Sequence, residues 1–201
     1  MGMRSFMRQA SEAELAQFRR NPGSFYETLK QGYEAMLDEA LLLESVEHGD
    51  LSAEEEAEVD KLFLGVLNRT AVAGPNGPDL QLEKSWHCLR YIFTGRVMEP
   101  AGPEPLDRAI LGAREIPDTG KVMGYGPVRC LSPDEVKEVT SALLGFPIVE
   151  RAKQYDESTA EEKQVYCPNH SEDELIHYFG KLLGFYEEAA ARNNGMLMWI
   201  E

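Results

Sequence analysis

The stretch LEKSWHCLRYIFTG, Leu82–Gly95, places a Trp–His pair, a Cys, an Arg and further aromatic residues within a few helical turns. Its apolar residues recur three, four and seven positions apart, which predicts an α-helix with one face in the core. Gly95 supplies the left-handed conformation that often ends a helix. The apolar face comprises Trp86, Cys88, Leu89, Ile92 and Phe93, and a neighbouring polar stripe comprises His87, Arg90, Tyr91 and Thr94.

Two interpretations of His87 follow from its position beside Trp86. A histidine next to a core tryptophan is most often packed and hydrogen-bonded, with a structural role. The alternative is a histidine that faces a ligand or transfers a proton, with Arg90 beside it to hold an anionic group. The sequence alone leaves both interpretations open.

Both ends of the chain predict β-strands. Met1–Gln9 is short and stops before the helix-start signal Ser11-x-x-Glu14, and Met196–Ile200 (MLMWI) is apolar throughout, as in a strand buried on both faces. The segments between them mostly show helical periodicity, and further capping boxes begin at Ser132 and Ser171. We therefore expect an α+β fold, in which a small mixed sheet includes the N- and C-terminal strands and packs with several helices.

The composition excludes several classes of protein. The formal net charge of −15 argues against nucleic acid, whose phosphates would be repelled. No apolar run is long enough to span a bilayer, and the N-terminus has no apolar signal region, so we expect neither membrane association nor secretion. Three cysteines, Cys88, Cys130 and Cys167, imply no disulfide framework and fit a reducing, cytoplasmic location.

Acidic charge is concentrated in one segment. Between Lys30 and Lys61 the chain has eleven acidic residues and no basic residue. Such a segment is usually a solvated helical face, but it would also suit docking to a cationic protein. The docking hypothesis centres on four residues, Glu54, Glu55, Glu56 and Glu58.

A second informative stretch is GYGPVRCLSPDEV, which starts at Gly124. Its two glycines flank a tyrosine and allow the backbone to take positive φ or to approach a ligand closely. Residues of this loop and of the central helix would form a pocket with aromatic walls and cationic groups, suited to a small anionic or aromatic ligand. The alternative is that they only pack the loop against the helix. The candidate pocket residues are Trp86, His87, Arg90, Tyr125 and Arg129.

Motifs for metal binding or covalent catalysis are weak. Cys167-x-x-His170 is a single short-spaced pair, whereas a structural zinc usually needs two such pairs. Cys88 and His87 are adjacent, so on a helix they point about 100° apart and do not make a nucleophile–base pair. No phosphate-binding or dinucleotide-binding glycine motif occurs. We therefore expect no metal and no cofactor.

Five stretches together resemble a known family. They are MGM at the start, LEKSWHCLRYIFTG, LDRAILGAREI, GYGPVRCLSPDEV and FYEEAAARNNGMLMWI at the end. In this order they resemble the YfbM-like proteins, small bacterial proteins that carry a domain of unknown function. The resemblance implies one α+β domain over residues 1–201, with a helical acidic elaboration at about 31–79. It implies no reaction, and Cys88 and Cys130 depart from the small and aromatic residues usual at those positions.

Two classes of function remain. The first is a non-catalytic binding protein, which would mask a basic partner as bacterial immunity proteins do. The second is an enzyme that acts on a small anionic or aromatic molecule through His87. The absence of a nucleophile–base pair at motif spacing favours the first class.

Overall fold

The computed structural model describes residues 3–25, 27–28, 80–97, 102–117, 119 and 125–201. The predicted acidic segment, with Glu54, Glu55, Glu56 and Glu58, lies outside these residues. The described strands and helices, numbered in chain order, are β1 (Ser5–Ala10), α1 (Glu12–Arg20), β2 (Leu80–Gln81), α2 (Ser85–Thr94), α3 (Pro105–Leu111), β3 (Arg114–Glu115), β4 (Arg129–Leu131), α4 (Pro133–Leu144), α5 (Ile148–Lys153), α6 (Glu157–Glu162), α7 (Glu172–Ala191) and β5 (Gly195–Ile200).

The strands form one sheet in the order β2-β1-β5-β4-β3, so the two ends of the chain meet at its centre. β1 and β5 pair over six residues, from Ser5 opposite Ile200 to Ala10 opposite Gly195. The predicted α+β fold is confirmed, and so is the prediction that both terminal strands belong to one sheet.

The sheet differs from the expected mixed sheet because all four described strand pairings are antiparallel. A strand that is apolar throughout is typical of parallel sheets, which helices cover on both faces. Here α1 covers one face of an antiparallel sheet and the later helices cover the other. The same double burial therefore gives the same sequence pattern without any parallel pairing.

Side chains of β5 alternate between these two faces, as strand geometry requires. Met196 and Met198 belong to the core shared with α2–α7, whereas Leu197 and Trp199 belong to the core shared with α1. Trp199 stacks on Phe6, with ring centroids 5.7 Å apart, and is almost fully buried. Both faces of the central strand therefore contribute to the hydrophobic core.

Helix starts follow the predicted capping signals. At Ser11, Ser132 and Ser171 the serine side chain accepts a hydrogen bond from the third helical N–H, and the glutamate there accepts one from the serine N–H. Each capping box satisfies two backbone donors that the helix itself leaves unpaired. None of the helices that the structure describes combines the length and apolar composition required to cross a bilayer.

Candidate functional site

Helix α2 is the structural centre of the candidate site, and it lies between α3 and α7. It ends as predicted at Gly95, where φ is 68°. All six residues from Ser85 to Arg90 are buried, whereas the next four are half-buried. The predicted polar stripe is therefore interior in its first half and reaches the surface only near the end of the helix.

His87 is 1 % exposed and stacks on Trp86, with ring centroids 4.5 Å apart. Its Nδ1 accepts a hydrogen bond of 2.8 Å from the backbone N–H of Tyr166. A backbone N–H can only donate, so Nδ1 carries no proton and the neutral ring is protonated at Nε2. Burial, and to a lesser extent the nearby Arg90 cation, lower the pKa of His87, although the Val97 carbonyl opposes this. The imidazole is therefore neutral at physiological pH.

Arg90 is also 1 % exposed, and its guanidinium binds backbone carbonyls. Its Nε donates to the carbonyl of Val97 at 2.8 Å, and its Nη1 donates to the carbonyl of Asp107 at 3.2 Å. These bonds hold the segment after α2 and the helix α3 against α2. Arg90 therefore contributes to the fold, and anion binding by its side chain stays a prediction.

Cys88 is fully buried, and its thiol belongs to a small polar network. The thiol donates to the carbonyl of Cys167 at 3.3 Å, and the Tyr155 hydroxyl lies 3.3 Å from Sγ and 2.8 Å from the carbonyl of Pro168. Burial raises the pKa of Cys88 to about 11, so the thiol stays protonated at neutral pH. A protonated, buried thiol is a poor nucleophile.

Tyr125 precedes β4 and Arg129 begins it, and both residues lie next to β5. Tyr125 is 60 % exposed and its N–H donates to the carbonyl of Ile200, while Arg129 pairs with Glu115 at 2.9 Å. Both line a small cavity of about 20 Å³, and Gly126 between them has φ of 139°. In the described part of the chain, no hydrogen bond, ion pair or ring contact joins either residue to Trp86 or His87. Ligand binding by the five predicted residues together stays a prediction.

Two clefts that the sequence did not reveal open at the C-terminal half of α2. The first, of about 490 Å³, lies between α2 and the α5–α6 segment, and the second, of about 420 Å³, shares Phe93 and Thr94 with it and extends toward α3. Helical spacing could not have found them, because Tyr155 lies after the end of α5 and so does not share a helical face with Arg151. The first cleft is lined by Tyr91, Ile92, Phe93, Thr94, Gly95, Arg151, Gln154, Tyr155, Asp156 and Thr159.

The cysteines and the metal-ligating residues form no metal centre in the described residues. Cys88 and Cys130 are buried free thiols, and Cys167 is a partly buried free thiol. Across the described ranges, no three His, Cys, Asp or Glu side chains lie close enough together to hold a metal ion.

Comparison with known proteins identifies a family. Residues 1–199 match the model of a domain of unknown function, DUF1877. The fold is similar to the crystal structure of YfbM from Escherichia coli, a protein of unknown function, with 19 % identity, a TM-score of 0.54 and full coverage of both chains. No curated protein matches. The structural similarity agrees with the predicted resemblance, and the match over nearly the whole length shows that this chain belongs to the DUF1877 family.

Proposed function

We propose that this chain is a non-catalytic binding protein whose partner is a basic protein. The observation that supports this most directly is the state of His87 and Cys88, the two side chains of α2 best able to perform acid–base or nucleophilic chemistry. Both are buried, and each makes a hydrogen bond to the backbone of residues 166–167. The hydrogen bond to Nδ1 and the proton on Nε2 leave His87 no lone pair that can accept a proton, and the protonated Cys88 thiol is a poor nucleophile.

Charge is the argument for a basic partner. The chain carries a formal net charge of −15, and eleven acidic residues fall between Lys30 and Lys61. A surface of one sign steers an oppositely charged protein and increases its association rate. The Debye length falls from about 10 Å at 0.1 M salt to about 3 Å at 1 M, so association should slow strongly over that range.

A reducing compartment such as the cytoplasm fits this proposal. The three cysteines are free thiols in the structure. Disulfides form and persist mainly in oxidising compartments, so free thiols agree with a reducing one.

The test is a pull-down with two variants of equal charge. In the first, Glu54, Glu55, Glu56 and Glu58 are changed to Lys, and in the control the exposed residues Glu150, Glu161, Glu162 and Glu187 are changed to Lys. Each set replaces four negative charges with positive ones and changes the formal net charge from −15 to −7. We expect a basic partner to be lost from the first variant and retained by the control. Identical partners for both variants would refute docking at residues 54–58.

One observation favours the second candidate function, an enzyme that uses His87. Its Nε2 is buried and has no hydrogen-bond partner of good geometry among the described residues. However, His87 lines none of the three clefts described above. The test is whether the protein turns over a small aromatic or anionic compound. If it does, and if His87→Asn abolishes the turnover while the variant still folds, the protein is an enzyme and not a non-catalytic binding protein.

A further inference from the structure

The cleft between α2 and α5–α6 has the size of a small-molecule site. Its volume is about 490 Å³, within the range of roughly 300 to 1,000 Å³ that ligand pockets occupy. It is formed by the half-buried end of α2, by α5 and the turn after it, and by the start of α6. None of its lining residues belongs to the proposed protein-docking segment, so a ligand here would be independent of that function.

Two aromatic side chains give this cleft fixed walls. The rings of Tyr91 and Tyr155 meet edge to face, with centroids 6.4 Å apart, and both are half-buried. The Tyr155 hydroxyl is 2.8 Å from the carbonyl of Pro168, which fixes the orientation of the ring. Rings that are already ordered lose little entropy when an aromatic ligand packs against them.

Phe93 closes the same wall and is equally constrained. Its ring makes edge contacts with Phe146 at 5.0 Å and with Phe179 at 6.0 Å. The apolar part of the cleft is therefore built from the core rather than from mobile surface side chains.

Arg151 supplies a positive group in the same cleft. It lies in the last turn of α5, is exposed, and makes no ion pair or side-chain hydrogen bond with any residue that the structure describes. An unpaired guanidinium presents a planar set of donors that matches a carboxylate in two-point geometry. The neighbouring Gln154 adds an amide to the lining.

Asp156 supplies a negative group in the same cleft. Its Oδ1 accepts a hydrogen bond of 2.7 Å from the N–H of Thr159. Hydrogen bonding to the side chain and then to the N–H of Thr159 lowers the pKa of the carboxyl, which keeps it ionised. A carboxylate can accept further bonds, so the helix cap leaves capacity for a ligand donor. The C-terminus of α2, which also lines the cleft, adds the negative end of a helix dipole and favours a cation nearby.

The combination of aromatic walls, a free guanidinium and an ionised carboxylate matches a ligand with one ring, one carboxylate and one ammonium group. We propose that this cleft binds a free aromatic α-amino acid, with the ring against Tyr91 and Tyr155, the carboxylate on Arg151 and the ammonium group near Asp156. A ligand with only one of the two charges would leave one of these groups without a partner in the complex.

The experiment titrates the full-length protein with three probes by calorimetry and by ¹H–¹⁵N NMR. L-phenylalanine has the ring and both charges, 3-phenylpropionate lacks the ammonium group, and 2-phenylethylamine lacks the carboxylate. We expect L-phenylalanine to bind at least roughly tenfold more tightly than either analogue, since each lost charged hydrogen bond weakens binding by that order. Amide shifts should concentrate at Gly95, Gln154 and Thr159.

Matched variants locate the binding. Arg151→Gln removes the cation and Lys153→Gln removes an exposed cation of the same helix that does not line the cleft. Asp156→Asn keeps a residue that caps helices well and removes the charge, and Glu161→Gln is its control on α6. We expect the first member of each pair, but not the second, to weaken L-phenylalanine binding by roughly tenfold. Any of three results would overturn the proposal. L-phenylalanine could fail to show saturable binding up to about 10 mM, or the three probes could bind with equal affinity. In both pairs, the variant and its control could also change the affinity for L-phenylalanine equally.

Discussion

Changing His87 to Asn should remove a pH dependence from the stability of this protein. The folded state holds His87 neutral, because burial lowers its pKa below the ordinary value of 6.5. The unfolded state binds a proton at about pH 6.5 and the folded state does not, so folding releases a proton below that pH. Stability is therefore complete above pH 6.5 and falls as the pH decreases toward the lowered pKa of the folded state.

The size of the effect follows from proton linkage. Each pH unit between the two pKa values changes the free energy of unfolding by about 1.4 kcal/mol. Between pH 7.5 and 5.5 a histidine that stays neutral in the folded state therefore accounts for a loss of up to about 1.4 kcal/mol. His87→Asn should be less stable at pH 7.5, because it loses the stacking on Trp86, but its own decrease toward pH 5.5 should be smaller by that amount. Asn can still accept from the N–H of Tyr166 through its side-chain oxygen.

Urea unfolding at pH 7.5, 6.5 and 5.5, followed by far-UV circular dichroism, measures the difference. Circular dichroism avoids the fluorescence of Trp86, whose stacking on His87 would mix ring protonation with unfolding. His177→Asn is the control, because it makes the same substitution at an exposed position of α7. If the unfolding free energy of the wild type and of His87→Asn depends on pH in the same way, His87 titrates alike in the folded and unfolded states. The argument that burial lowers its pKa would then be wrong.

Three further predictions concern packing, thiol chemistry and helix capping. Gly195→Ala should cost about 1–3 kcal/mol in unfolding free energy, because its new Cβ would overlap the side chain of Leu15; a variant as stable as the wild type in urea would contradict this. In the native protein iodoacetamide should modify Cys167 well before Cys88, which is buried and has a pKa of about 11. Peptide mass spectrometry measures this order, and equal rates would contradict the buried network. Ser132→Ala should destabilise the protein by about 1 kcal/mol through loss of its capping box, measured as a lower urea midpoint at an unchanged m-value. No change in midpoint would show that the cap is dispensable.

The parts of the fold predicted from sequence are those with a local chemical signal. Ser11, Ser132 and Ser171 begin helices because serine and the glutamate three residues later satisfy backbone donors without help from distant residues. β2, with only Leu80 and Gln81, was not predicted, because two residues are too few to show strand alternation.

The end of α7 shows how a correct signal can have a different cause. An Asn–Gly pair such as Asn194–Gly195 is typical of a helix end, but here Asn193 takes the left-handed conformation, with φ of 52°. Gly195 lies instead in β5, where a side chain would overlap Leu15 and the backbone of Leu131. The sequence contained the glycine, but only the packing of α1 against β5 explains why a glycine is needed.

The candidate site was harder to predict because distant segments decide which side chains of α2 reach solvent. Tyr166 covers His87 from 79 positions away, and no periodic pattern in that segment predicts the contact. Arg90 donates to the carbonyl of Val97, in the segment after α2, and to the carbonyl of Asp107 in α3. The polar side chains of His87 and Arg90, in the buried half of α2, thus bind backbone groups of other segments. The half of α2 that meets solvent, with Tyr91 and Phe93, makes fewer such bonds, and this difference is why the cleft there is the better place to look for a ligand.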